Sequence, residues 1–471
     1  MHLFMKLKCN ILYLSVLFAG LLVIHPSKAQ QITRKVKETL LLKIYDTALV
    51  NNSFTFSKDL KKVACCIRDG KKQRVVINGS KGKLYDSVHL PVFSPDGNAF
   101  IYQALEGTRW LWITSDNREL SVAPDETISF ARFSPDSKSI AYVVTKDHKF
   151  RMVFKGIKGK PYDVIDYNSI AFSKDGQKLL YTATLNKKQF NVTGLLESTH
   201  FDKVGFPVLS ADGNRLAFWA INNKKSFAVV DNKTGRAFDE VSSIIFSENG
   251  KHYAYHAMIA NKHVVVLDTS VGEKYVFVHS ICFSPDGLKL AYGLESTPDP
   301  KEGFKHYMSL AGKTSQVYET VVEGSFRFSP DSKSLLFEAE IHDAFFIVNN
   351  GREGKRHSDV LQSTTIFSPD NLRIDYAVED YSKRFVVADD IEGLPYQDIL
   401  HIAFSPNSRQ LVYSARLNNK ELVVVDGING RMYDTLQGLG EIIFDTPDSF
   451  HYMARKGNDI FLVEEKIELP K

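Results

Sequence analysis

Short apolar runs separated by turn residues recur along this chain about every forty residues, and each period carries four of them. The first run ends on an aromatic or leucine that leads into a Ser-Pro-Asp-Gly-type segment. Eleven copies begin at Phe56 (FSKDL), Phe93 (FSPDG), Phe133 (FSPDS), Phe172 (FSKDG), Leu209 (LSADG), Phe246 (FSENG), Phe283 (FSPDG), Phe328 (FSPDS), Phe367 (FSPDN), Phe404 (FSPNS) and Phe444 (FDTPDS). Nine residues after the lead position stands an aromatic in nine copies, from Tyr102 to Tyr413, with Cys65 and Met453 in the terminal copies. A β-branched run follows, such as Val75-Val76-Ile77 or Val423-Val424-Val425, often closed by a tight-hairpin dipeptide such as Asn78-Gly79 or Asp426-Gly427. The period ends on Tyr-Asp or a relative, at Tyr85-Asp86, Tyr162-Asp163, Phe201-Asp202, Phe238-Asp239 and Tyr433-Asp434, which the pattern assigns to a fourth strand.

Four strands per period predict an all-β fold, a β-propeller of about eleven four-stranded blades. Ser-Pro-Asp-Gly is then the hairpin between the first two strands. Proline presets the first turn angle, Asp bonds nearby amides, and Gly accepts a positive φ. One carboxylate per turn falls short of a calcium cage, so these Asp residues are expected to be turn formers. Single rings hold four to eight blades, which predicts two tandem propellers, over 30–240 and 241–471, with one large ring as the alternative. Residues 40–50 (LLLKIYDTALV) favour that alternative, because they resemble a strand without a blade, and the last copy ends soon after Ile460-Phe461-Leu462.

The FSPDG segments, with Leu290-Ala291-Tyr292, Ile140-Ala141-Tyr142 and Leu216-Ala217-Phe218 as second element, resemble the TolB-like, WD-type propeller repeats of bacterial periplasmic proteins. The resemblance covers nearly all of the chain after its leader and implies the propeller fold. It does not single out a function, since such repeats occur in translocation proteins, peptidase gating domains and lyases. The chain shows neither the separate α/β domain of TolB before its blades nor a hydrolase domain after them.

Residues 1–29 have the form of a signal peptide, with Lys6 and Lys8 ahead of an apolar stretch over 11–24 and Ser27-Lys28-Ala29 as the cleavage site. Cleavage after Ala29 predicts a periplasmic or secreted protein. The full chain has 59 basic and 55 acidic side chains, and removing the three lysines of the leader makes it nearly neutral. Such a balance argues against a nucleic-acid partner. Membrane contact is expected only through a partner or an uncleaved leader.

Cys65, Cys66 and Cys282 offer neither a disulfide framework nor zinc-ligand spacing and are expected to pack. There is no GxSxG or HExxH motif, and Tyr307 stands where a phosphate loop ending in Gly312-Lys313-Thr314 needs glycine. His252 and His256 share a strand face but lie too far apart for one metal. The recurring Tyr-Asp carboxylates are expected to satisfy loop amides, since catalytic pairs break symmetry. No catalytic residue, metal site or cofactor is therefore expected, and the chain is read as a non-enzyme.

Three features are candidates for binding. The loops between second and third strands collect basic residues, among them Lys187, Lys188, Lys224, Lys225 and Lys420, and could make one rim positive. The stretch over 295–306, with Lys301 and Glu302, lengthens the seventh period to 45 residues from Phe283 to Phe328. Trp110 and Trp112 share a strand face and suit either blade packing or a stacked sugar. The expectation is an exported scaffold binding a protein or glycan in the cell envelope. The alternative is a propeller-type polysaccharide lyase or glycosidase with its site at the ring mouth, marked by a non-periodic cluster of acidic residues, His and Arg.

Overall fold

The structure, a computed structural model, describes residues 32–44, 49–120, 122–296 and 303–468. The expected leader at 1–29, Lys301 and Glu302 lie outside the described residues. Among the described residues, every regular element is a strand apart from one 3-10 turn at Gly438–Gly440. The strands form eleven antiparallel sheets arranged as the blades of one ring. Blade 1 pairs Leu49–Phe56, Val63–Asp69, Lys72–Ile77 and Ser80–Lys81 in that order, and the later blades repeat it.

The repeated segment folds as the pattern predicts, between the first and second strands, but its serine is the residue that holds it. In blade 2, Ser94 Oγ donates to Asp96 Oδ1 at 2.6 Å and accepts from Ala99 N at 2.9 Å, while Asp96 Oδ1 accepts from Asn98 N at 3.0 Å. The equivalent serine is buried from Ser57 to Ser405, because its hydroxyl replaces water for an amide at the mouth of each hairpin. Gly97 sits at φ +69°, where a Cβ would fall 2.9 Å from Asp59 of the preceding blade.

The aromatic column forms the core between blades. Tyr102, Tyr181, Phe218, Tyr255, Phe337, Tyr376 and Tyr413 are buried, whereas Tyr142 and Tyr292 are only partly so. Cys65 and Met453 fill the same column in the terminal copies and are also buried. Cys66 is buried beside Cys65, and Cys282 is partly exposed. Burial pushes the Cys65 thiol up to about 11.

Two expectations need correction. Most Tyr-Asp pairs lie outside the fourth strands, which are short segments such as Ser80–Lys81, with Tyr85 beyond on the connection to the next blade; in blades 5 and 10 the fourth strand does run on to Phe238 and Tyr433. The Tyr85 backbone bridges back to Gln73 of the third strand, and the same bridge recurs at Tyr162, Phe201, Tyr275, Tyr318 and Tyr396. An apolar residue that plugs the gap between blades looks, in sequence, like a residue inside a strand. The second correction concerns ring count. The blades close as a single ring and not as two tandem ones. Across residue 240, Ala228 and Phe238 of blade 5 pack with Val241 and Tyr255 of blade 6 in one continuous core.

Closure uses the N-terminal strand. Thr33–Lys43 pairs antiparallel with Asp459–Glu468 as the outermost strand of blade 11. Arg34 Nε donates to Glu465 Oε2 at 2.6 Å, and Arg34 Nη1 reaches the carbonyl of Val423 in blade 10 at 3.0 Å. Met453 and Ile460 then pack against Val63 and Cys65 of blade 1, which completes the circle.

Candidate functional site

The ring has two faces. One carries the Ser-Pro-Asp turns. The other carries the hairpins between second and third strands, together with the connections from blade to blade. Many of these hairpins are two-residue turns with both φ values positive, such as Asn186 (51°) with Lys187 (65°) and Asn223 (50°) with Lys224 (63°). That geometry selects Asn at the first position and explains the amide content of this face.

The lysines here divide into two groups. Lys188 Nζ lies 2.6 Å from Asp202 and Lys225 Nζ 3.0 Å from Asp239, while Lys420 pairs with Asp434. The other oxygen of each carboxylate accepts a turn amide of the following blade, from Asn223, Ala260 and Gly457 respectively. Each of these three carboxylates therefore clasps a lysine of one blade to a hairpin of the next, and the lysine and the amide hold it below the usual carboxylate range. Lys187 and Lys224 occupy the exposed hairpin tips instead.

Trp112 Nε1 donates to the Ile128 carbonyl of blade 3 at 3.2 Å and belongs to the packing between blades. Trp110 is 44% exposed, with its ring 4.7 Å from that of His89. The two tryptophans thus part, one inward and one to the surface.

Blades 6 to 8 hold a non-periodic cluster. Blade 6 comprises Glu240–Phe246, Tyr253–Ile259, Lys262–Leu267 and Ser270–Val271; blade 7 comprises Phe277–Phe283, Leu290–Glu295, His306–Leu310 and Lys313–Thr314. His256 Nδ1 shares a hydrogen bond with Ser242 Oγ at 2.9 Å, and His256 Nε2 another with His263 Nδ1 at 2.6 Å. The His263 ring lies 5.1 Å from Phe277, Phe277 lies 6.2 Å from His279, and His279 lies 6.4 Å from Phe326 of blade 8. A run of rings thus crosses two blade boundaries. His279 fits only because Gly293 lacks a side chain, since a Cβ there would stand 2.2 Å from its Cε1.

Burial lowers the pKa of His256 and of His279, so both imidazoles are neutral at neutral pH. Glu338, on the second strand of blade 8 (Leu335–Ile341), behaves in the opposite sense. Burial pushes its carboxyl up to about 7, against the attraction of Arg327 and with the added repulsion of Asp359. The neutral imidazoles can each donate and accept a hydrogen bond, whereas Glu338 has Arg327 and Asp359 as its charged neighbours. Sequence reasoning missed this group. Its signal was the position ten residues after each lead aromatic, which reads Val143, His256, Gly293, Glu338 and Ala377 across blades. His252, weighed with His256, pairs instead with Asp268 at 2.8 Å.

Neither a protein-family model nor a curated protein sequence matches the chain. Among solved structures it is similar to a eukaryotic initiation factor, at 14% identity over 78% of this chain and 98% of that one, with a TM-score of 0.39. It is also similar to the β-propeller domain of the Trilobed protease from Pyrococcus furiosus, at 14% identity over 66% of this chain and 96% of that one, with a TM-score of 0.27. Oligogalacturonate lyase from Vibrio parahaemolyticus matches at 10% identity over 63% of this chain and 95% of that one, again with a TM-score of 0.27. Similarity at this level carries no argument about what this chain does. Among the described residues, no helix is long and apolar enough to cross a membrane.

Proposed function

We propose that this protein is an exported, non-enzymatic scaffold of the TolB-like repeat type that binds a protein or glycan partner in the cell envelope. The contact surface is the hairpin face of blades 4 to 8, from the tips Lys187 and Lys224 to the histidine cluster. The observation that supports it is the break in symmetry. Around most of the ring the polar side chains of this face are spent on clasps between blades, whereas His263, Phe277 and Phe304 stay partly or fully exposed, and Phe277 and Phe304 are 38% and 51% exposed. Exposed aromatics beside hydrogen-bonding groups are the composition of binding surfaces.

Capture from envelope extract with the leaderless protein tests this reading. Phe277→Ser with Phe304→Ser should lose the captured partner while keeping the unfolding midpoint of the native protein. Equal capture by this variant would remove blades 6 to 8 from consideration. A second reading, a polysaccharide lyase or glycosidase, is favoured by one observation, the raised pKa of buried Glu338. Turnover of a polysaccharide by pure protein, abolished by Glu338→Gln, would establish it in place of the scaffold.

A further inference from the structure

At the connection from blade 8 to blade 9, His357 stands where most other junctions carry Tyr or Phe, and it makes the same backbone bridge, to Phe345. At three junctions the tyrosine hydroxyl donates to an acceptor on the outermost strand of the next blade: Tyr162 to Glu197 at 3.1 Å, Tyr396 to Asn429 at 2.6 Å and Tyr433 to Glu38 at 2.7 Å. The residue in that place beside His357 is Glu392, on Ile391–Glu392. His357 is differently equipped. Its side chain is fully buried, and Nδ1 lies 2.7 Å from Asp380 Oδ2, whose other oxygen accepts from Ser358 N at 2.7 Å. With the ring proton given to Asp380, Nε2 is a bare lone pair, and it has no hydrogen-bond partner. It cannot do for Glu392 what a tyrosine hydroxyl does for Glu197. One ligand atom each from His357, Asp380 and Glu392 lie within 4.8 Å of one another.

We propose that this junction binds a divalent cation of the zinc class, ligated by His357 and Glu392, with Asp380 holding the imidazole and water completing the shell. A carboxylate behind a histidine fixes the tautomer and raises the basicity of the free nitrogen. One imidazole and one carboxylate suit a borderline cation better than calcium or magnesium. The resident competitor is Lys355, whose ammonium pairs with Glu392 and whose side chain is 62% exposed and free to yield.

Calorimetric titration of the chelator-stripped full chain with zinc chloride tests the site. The native protein should take up one zinc ion more than Glu392→Gln, a change at a carboxylate that is 36% exposed. Asp380→Asn should weaken that site about 10–100-fold. Lys355→Met, which removes the competing ammonium, should tighten it severalfold. Equal zinc stoichiometry in the native protein and Glu392→Gln, no zinc uptake at all, or unchanged affinity in Lys355→Met would overturn the proposal.

Discussion

Replacing Arg34 by alanine should open the seam of the ring. The side chains of Arg34 and Glu465 are only 8% and 0% exposed, so their pair is screened little by solvent. Truncation leaves the Glu465 carboxylate buried with a single remaining donor, the Tyr452 hydroxyl at 2.7 Å. It also strips the Val423 and Ile428 carbonyls of the guanidinium that spans blades 10 and 11. Removing one partner of a buried pair costs about 3–5 kcal/mol, a large share of the roughly 5–15 kcal/mol that holds a domain folded. Urea unfolding should show that loss. Hydrogen exchange should accelerate first in Thr33–Lys43 and Asp459–Glu468, the two strands the pair joins. Pairing Arg34→Met with Glu465→Gln, which removes both charges, should recover most of the stability. A single variant within about 1 kcal/mol of the native protein, or a double variant no better than the single, would refute the argument.

Glu338→Gln should change the pH dependence of stability. The native carboxyl titrates near 7 against an ordinary value of 4.5, so the folded state binds the extra proton and stability falls as pH rises between those values. The variant should lack that decline and exceed the native protein at pH 8 by an amount on the order of 3 kcal/mol, read from urea midpoints at several pH values. Ser405→Ala should cost about 1–3 kcal/mol, because the Gln410 amide, bonded to Ser405 Oγ at 2.9 Å, is left without an acceptor. Tyr413→Ala should cost about 3–5 kcal/mol by chemical denaturation, since that ring is 2% exposed and fills the core between blades 9 and 10.

The blade was legible in the sequence because its determinants are local. The lead aromatic, the Ser-Pro-Asp turn and the β-branched run each lie within one period. Ring count was only partly legible: residues 40–50 resembled a strand without a blade, but the repeat itself reads the same whether a ring has six blades or eleven. The unbroken core across residue 240 and the pairing of Thr33–Lys43 with Asp459–Glu468 settle it. The clasps were half legible. The period shows that the Tyr-Asp carboxylates are structural, but it does not show that Lys188, Lys225 and Lys420, fourteen residues earlier, are their partners, because that contact is made by the junction folding back onto the third strand. The histidine cluster escaped for a similar reason. His263, His279 and Phe326 sit in three different blades, and nothing in any one of them marks the residue as part of a run of rings.

The closing strand also sets an order of events. Arg34 and Glu465 are 431 residues apart, so the strand made first is among the last to find its partner. Until then the growing chain is an open arc with two raw edges, each displaying unpaired backbone groups that invite another chain. Pairing so distant in sequence is intrinsically slow, and its entropy must be lost before any contact rewards it. A chaperone that shields either edge would act on this arc and not on the finished ring. A cut and rejoining that moved the chain ends to another junction would make closure a local event and should speed it.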